Sequence, residues 1–177
     1  MELTILPLKF ANDQLLKDLL FRLRFVFEKV EVININIDIE HTYSAQRRQF
    51  YSTKIIESVK TLNPVPEGFV LILTDMDLFV PVLTHIYGEA EYNGRYSVVS
   101  VCRLHEEFYT SESNNSLLLE RSYKEIVHEL GHNVGLKHCK DWTCVMHSSS
   151  GIEEVDIKGN LFCNVCHGLA KDKGFVL

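Results

Sequence analysis

The string His128-Glu129-Leu130-Gly131-His132 places two histidines four residues apart with a glutamate between them. On a helix, residues at that spacing lie one turn above the other on the same face, so one divalent ion can touch both imidazoles. Neutral imidazole suits zinc. Glu129, next to the first ligand but off the ligand face, can reach a water activated by the metal and act as general base. The chain continues Asn133-Val134-Gly135-Leu136-Lys137-His138. Gly135 can adopt the left-handed conformation that ends a helix, which lets His138 return as a third ligand. Three protein ligands and one open position are the pattern of a catalytic zinc site. His41 and His105 have no such spacing and read as ordinary surface or core residues.

A second set of metal-ligating side chains follows. Cys139 adjoins His138, and Cys144 and the pair Cys163-Asn164-Val165-Cys166 complete the set. Four thiolates would satisfy tetrahedral zinc with no position left over, so the expected second ion is structural and the cofactor complement is two zinc ions per chain. A thioredoxin-like redox role for Cys163 and Cys166 would require a neighbouring βαβ unit, which the tail lacks. Cys102, the fifth cysteine, is expected to be a buried thiol.

These residues need a scaffold, and periodicity supplies one. Leu3 to Leu8 reads as a strand; Leu15, Leu16, Leu19, Leu20, Leu23, Val26 and Phe27 recur at helical spacing; and Ile33, Ile35, Ile37 and Ile39 alternate as in a half-buried strand. A second helix is expected over Arg47 to Lys60, a turn over Pro64 to Gly68, and a buried strand over Phe69 to Leu73. Further strands are expected at Val82 to Tyr87 and, after the Asn93-Gly94 turn, at Tyr96 to Leu104. A long helix is expected from Ser116, with Leu119, Tyr123, Ile126, Val127, Leu130 and Val134 as its apolar stripe, ending at Gly135. Lys137 to Leu177 has little strand patterning and needs something besides an apolar core to hold it.

Composition narrows the function classes. The 177 residues carry 18 Lys and Arg against 24 Asp and Glu, a formal charge of −6, with no basic run, so nucleic acid is not an expected partner. The longest apolar stretch, Phe69 to Leu83, is interrupted by Asp75 and Asp77, which excludes a membrane-spanning helix. Met1 to Phe10 has no basic segment, and Pro7 and Lys9 break its apolar run, so no secretory leader is expected. Five cysteines in such a chain are expected to stay reduced in the cytoplasm.

The long-helix motif with its third histidine, followed by Met146 as the methionine of a Met-turn, matches the metzincin signature. With the cysteines in order behind it, the chain resembles the archaemetzincins. The likeness extends to Leu73-Thr74-Asp75-Met76-Asp77-Leu78-Phe79, to Gly88-Glu89-Ala90 and to Val98 through Leu104, and so covers roughly Phe69 to Cys166. The spacer from Met146 to Cys163 is one residue shorter than the family pattern. The resemblance implies an α/β (α+β) metzincin-like fold, with a twisted sheet and two to three helices above a cleft and a small zinc-stapled C-terminal part below it. Residues 1–177 are then one catalytic domain, divided at about 135 and 136. It also implies a monomeric zinc metallopeptidase acting on peptide or protein substrates, the alternative being a zinc-stabilised peptide-binding module with little turnover. Ser148 stands where several metzincins carry an oxyanion-stabilising Tyr, so that donor is unassigned. The strand at Ser97 to Cys102 is either the sheet edge that receives an extended peptide or a plain core strand. Side-chain preference is expected to be set within His147 to Asn160, where Glu153, Glu154 and Asp156 read first as a solvated loop and only weakly as a sign of basic substrates.

Overall fold

Alternation of side chains along three strands builds two cores on opposite faces of one sheet. A computed structural model describes residues 1–62 and 67–175 of the chain. In chain order the elements are β1 (Glu2–Pro7), α1 (Asp13–Leu23), β2 (Lys29–Val32), β3 (Tyr43–Ser44), β4 (Gln49–Tyr51), α2 (Ser52–Lys60), β5 (Phe69–Thr74), β6 (Leu78–Phe79), β7 (Gly88–Ala90), β8 (Tyr96–Ser100), α3 (Asn115–Asn133), α4 (Ile152–Ile157) and α5 (Asn164–Lys171). The main sheet has the order β2-β1-β5-β8-β7; all its neighbours are parallel except β7, which runs antiparallel to β8. Leu3, Ile5, Leu71, Leu73 and Val99 face α1 and α3, while Leu6, Val70, Ile72 and Val98 face α2. Together these strands hold α3, and its histidines, against the open edge of the sheet.

Several elements are shorter than the sequence pattern suggests. Ile33 to Ile39 alternates in burial as expected, yet pairing stops at β2 plus one bond from Ile33 N–H to the Ile5 carbonyl. The next bond of that parallel ladder would need an N–H from Pro7, which has none. The second helix starts at Ser52 rather than Arg47, because Gln49–Tyr51 is spent as β4, pairing with β3 and β6. Val82 to Tyr87 is not a strand: Pro81 opens a turn, Val82 and Leu83 are exposed, and only Ile86 bridges to Leu78. β8 ends at Ser100, whose Oγ donates to the Met76 carbonyl and accepts from Cys102 N–H. Of the expected Pro64 to Gly68 turn, only Glu67 and Gly68 lie within the described residues. Gly68 has φ +90, and a Cβ there would stand 2.5 Å from the Glu2 carbonyl oxygen.

The long helix matches its expected course. Asn114 caps it by accepting from Leu117 N–H, so the helix starts at Asn115, one residue ahead of the expected Ser116, and the chain leaves it where Gly135 takes φ +86. The closing bonds run from Gly135 N–H to the His132 carbonyl and from Leu136 N–H to the Gly131 carbonyl. One flank of α3 grips the segment beyond the Met-turn. Arg121, 3% exposed, makes paired 2.7 Å bonds to Asp156 and a 2.8 Å contact to Glu106; Lys124 donates to the Val155 and Asp156 carbonyls; Lys158 meets Glu125 at 2.7 Å. Arg121→Ala leaves carboxylates without their partner and is expected to cost about 3 kcal/mol, read as a lowered denaturation midpoint. Among the described residues, no helix is long and apolar enough to cross a membrane.

Candidate active site

His128 and His132 project from one face of α3, and the chain returns after Gly135 to bring His138 beside them. Their ligand atoms all lie within 4.8 Å of one another, and the Nε2 atoms of His128 and His132 are 3.1 Å apart. The backbone sets the tautomers. His128 Nδ1–H donates to the Val145 carbonyl and His132 Nδ1–H to the Leu136 carbonyl, each at 2.8 Å. Both Nε2 atoms are thereby left as lone pairs aimed into one small volume. Converging neutral lone pairs repel one another and are reconciled by a cation, so this donor set fits zinc.

Burial keeps these groups in the protonation states the chemistry needs. His128 is held well below the usual imidazole value of 6.5, first by burial and then by the Lys158 charge and by His132; burial also lowers His132 and His138. A depressed imidazole binds its proton less readily in the folded chain than in the unfolded one. Stability and metal occupancy are therefore full above about pH 6.5 and decline below it as acid drives protonation and release. Activity and bound zinc, measured together across an acid titration, are expected to fall together; loss of activity with zinc fully retained would contradict this.

Glu129 sits between the helix and the sheet edge. It is 5% exposed, and burial, reinforced by Glu125 and opposed by Lys158, raises its carboxyl well above the ordinary range. A Cβ on Gly88 would stand 2.7 Å from Glu129 Cγ and Oε1, so β7 approaches the carboxylate as closely as it does only because residue 88 has no side chain. Met146, fully buried, lies directly under the helix: a Cβ on Gly131 would be 2.3 Å from its Sδ. Ligand spacing alone assigns Gly131 no role. A glycine inside a helix, where it costs roughly 1 kcal/mol relative to Ala, was the available signal that something packs against it.

The four cysteines also converge. The Sγ atoms of Cys139, Cys144, Cys163 and Cys166 lie within 4.8 Å of one another, unbridged, with Cys139 and Cys163 at 3.8 Å. A tetrahedron with metal–sulfur bonds of about 2.3 Å has edges of about 3.8 Å, so the set fits a closed zinc site and not a two-cysteine redox pair. Burial raises the Cys144 and Cys166 thiols, while the Cys166 N–H lowers Cys163. Cys102 lies apart, half-buried, its thiol raised by burial.

A cleft of about 470 Å³ runs past the histidines, walled by the approach to β7, by Gly88–Ala90, by Glu125 and Glu129 of α3, and by Ser148 to Ser150. The sheet edge that lines it is β7; β8, which carries Ser97 to Ser100, lies inside the sheet between β5 and β7 and is a core strand. The hairpin order, not visible in strand periodicity, decides which of the two is outermost. Glu89 on β7 is anchored by the Ser52 and Thr53 hydroxyls at the start of α2. Of the acidic residues after the Met-turn, Asp156 is taken by Arg121 and Glu154 accepts from Ser150 N–H, and neither they nor Glu153 line the cleft. His41 and His105 lie outside it.

A sequence profile of peptidase family M54 matches residues 10–172. The chain is 36% identical over 178 residues to an archaemetzincin of Methanocaldococcus jannaschii, covering 100% of this chain and 97% of that protein. It is 41% identical over 127 residues to an archaemetzincin of Methanopyrus kandleri, covering 72% and 69%. Among crystal structures, the Methanopyrus kandleri archaemetzincin superimposes with a TM-score of 0.86 at 34% identity, covering 98% and 94% of the two chains. The Archaeoglobus fulgidus archaemetzincin, complexed with malonate, superimposes with a TM-score of 0.80 at 34% identity, covering 96% and 99%.

Proposed function

Since the chain belongs to peptidase family M54, the archaemetzincins, and is a zinc metallopeptidase, we propose that it hydrolyses peptide bonds at His128, His132 and His138, with Glu129 as general base. The observation that carries this reading is the meeting of three imidazoles, two with their tautomers fixed by backbone carbonyls, beside a buried carboxylate at the foot of a cleft. Zinc held there supplies Lewis-acid polarisation of the scissile carbonyl and lowers the pKa of the attacking water. Glu129, with its proton affinity raised by burial, takes the proton from that water and returns it to the leaving amine. β7, the last strand in the order of the main sheet and without an outer strand partner among the described residues, offers backbone groups to an extended substrate, and Gly88 keeps that strand in contact with Glu129.

A second, structural zinc on Cys139, Cys144, Cys163 and Cys166 brings the complement to two per chain. Residues 1–177 act as one catalytic domain, with an upper part to about 135 and a cysteine-stapled part from about 136. One apolar cluster supports this, because it joins Leu3 and Ile126 to Val145, Val155 and Phe175. Unbridged cysteines fit a reducing cytoplasm, and a cleft built from one chain fits a monomer. The test is digestion of a peptide library by zinc-loaded protein. New termini should appear, stop on chelation and resume on adding zinc. Binding of peptides without cleavage at full zinc occupancy would leave a peptide-binding module instead.

A further inference from the structure

The cleft wall next to the histidines carries more polar chemistry than peptide hydrolysis uses. Glu125, one turn before Glu129 on α3, lines the cleft and is almost wholly buried. Its partner, Lys158, is 1% exposed and stands behind it at 2.7 Å, outside the cleft lining. Two more lining residues bring buried hydroxyls, Tyr87 Oη beside Tyr109 and Ser149 Oγ, the latter with no hydrogen-bond partner among the described residues. An unsatisfied buried polar atom beside an open cleft calls for a polar occupant, since an apolar one would seal it off unpaired.

The charges decide which polar occupant. No lysine or arginine lines the cleft, while Glu89 and Glu125 bring carboxyl groups to this wall. The nearby cations stand outside the lining: Arg103 pairs with Asp77 at 2.7 and 2.8 Å, Lys158 with Glu125, and Arg47 donates to the Pro81 and Leu83 carbonyls. We propose that Glu125, backed by Lys158 and flanked by Tyr87 and Ser149, is a specificity-determining residue that selects substrates with a basic side chain, lysine or arginine, beside the scissile bond. This rests on the histidine cluster being the place of cleavage. An acidic side chain gains nothing from Glu89 and Glu125 at this corner, and an aliphatic one leaves Ser149 unanswered.

The test is a competitive digestion by zinc-loaded protein of capped heptapeptides that differ at one position between Arg, Gln, Leu and Glu. The expected result is a kcat/KM at least about tenfold higher for Arg than for Leu or Glu at one position flanking the cut, with Gln between them. Glu125→Gln removes the carboxylate and exposes the charge of Lys158, so the Arg-to-Glu ratio should fall about tenfold or more. The double variant Glu125→Leu with Lys158→Met leaves no unpaired buried ammonium to compromise folding, and its preference should move to Leu. A flat or Leu-led profile in the unaltered protein overturns the proposal, as does a profile unchanged by both variants. The same peptides titrated against the unaltered protein by NMR rank affinity without turnover. Binding led by Arg with no cleavage would count against the hydrolytic reading alone, and cleavage or binding without an Arg preference against this one alone.

Discussion

Glu129→Gln is expected to lower kcat/KM for peptide hydrolysis by about 10²- to 10⁴-fold while both zinc sites stay filled. Glutamine keeps the shape that packs against Gly88, where a single added methyl group would already collide with the side chain. It cannot accept the proton of the attacking water. Glu129 is not a metal ligand in this arrangement, since the converging donor set is His128, His132 and His138, so metal content should not change. Turnover measured beside metal analysis on both proteins checks this. Loss of zinc along with activity would mean that Glu129 holds the site together and does not serve it as a base.

Cys163→Ser is expected to weaken zinc binding at the histidines although no cysteine touches them. The loop from Cys139 to His147 carries two residues of the cysteine cluster, Cys139 and Cys144, and is tied to α3 through the Val145 carbonyl. Cys139 N–H donates to the Met146 carbonyl, Val145 N–H to the Leu161 carbonyl, and Cys163 N–H to Cys144 Sγ. The Val145 carbonyl is the acceptor that orients His128, and Cys139 is the residue after His138. Losing one thiolate opens the structural site and loosens the carbonyl that aims one ligand and the backbone that aims another. Disturbing such outer partners typically costs about 10- to 100-fold in metal affinity. The measurement is zinc affinity of the histidine site by chelator competition, with far-UV circular dichroism to confirm that the main sheet and α1 to α3 persist. Unchanged affinity in a protein that has lost its second zinc would make the two sites independent.

What the sequence shows clearly is what local spacing dictates. The ligands four apart, the glycine that ends the helix and the four cysteines could be placed from the chain alone, because helix geometry and ligand chemistry turn those spacings directly into positions. Tertiary relations were not available in the same way. Whether β7 or β8 is the sheet edge depends on hairpin order; the unpaired run from Ile33 depends on a proline in another strand; and the turn at Pro81 interrupts an apolar stretch that reads as continuous. The weak acidic signal after the Met-turn pointed to basic substrates through Glu153, Glu154 and Asp156, which do not line the cleft; the cleft carboxylate is Glu125, inside the helix. Gly88 and Gly131 acquire their meaning only from Glu129 and Met146, which lie beside them in space and not in the chain.

The most direct test of the account is staged removal of metal from fully loaded protein, with zinc content and peptide turnover followed in the same samples. An open coordination position admits a chelator where a closed four-cysteine site does not, so zinc is expected to leave in two steps. Activity should disappear in proportion to the first step, with the fold intact, and return when one equivalent of zinc is restored. Activity that survives the first step, or intact folded protein holding a single zinc per chain, would contradict the assignment of a catalytic histidine site beside a structural cysteine site.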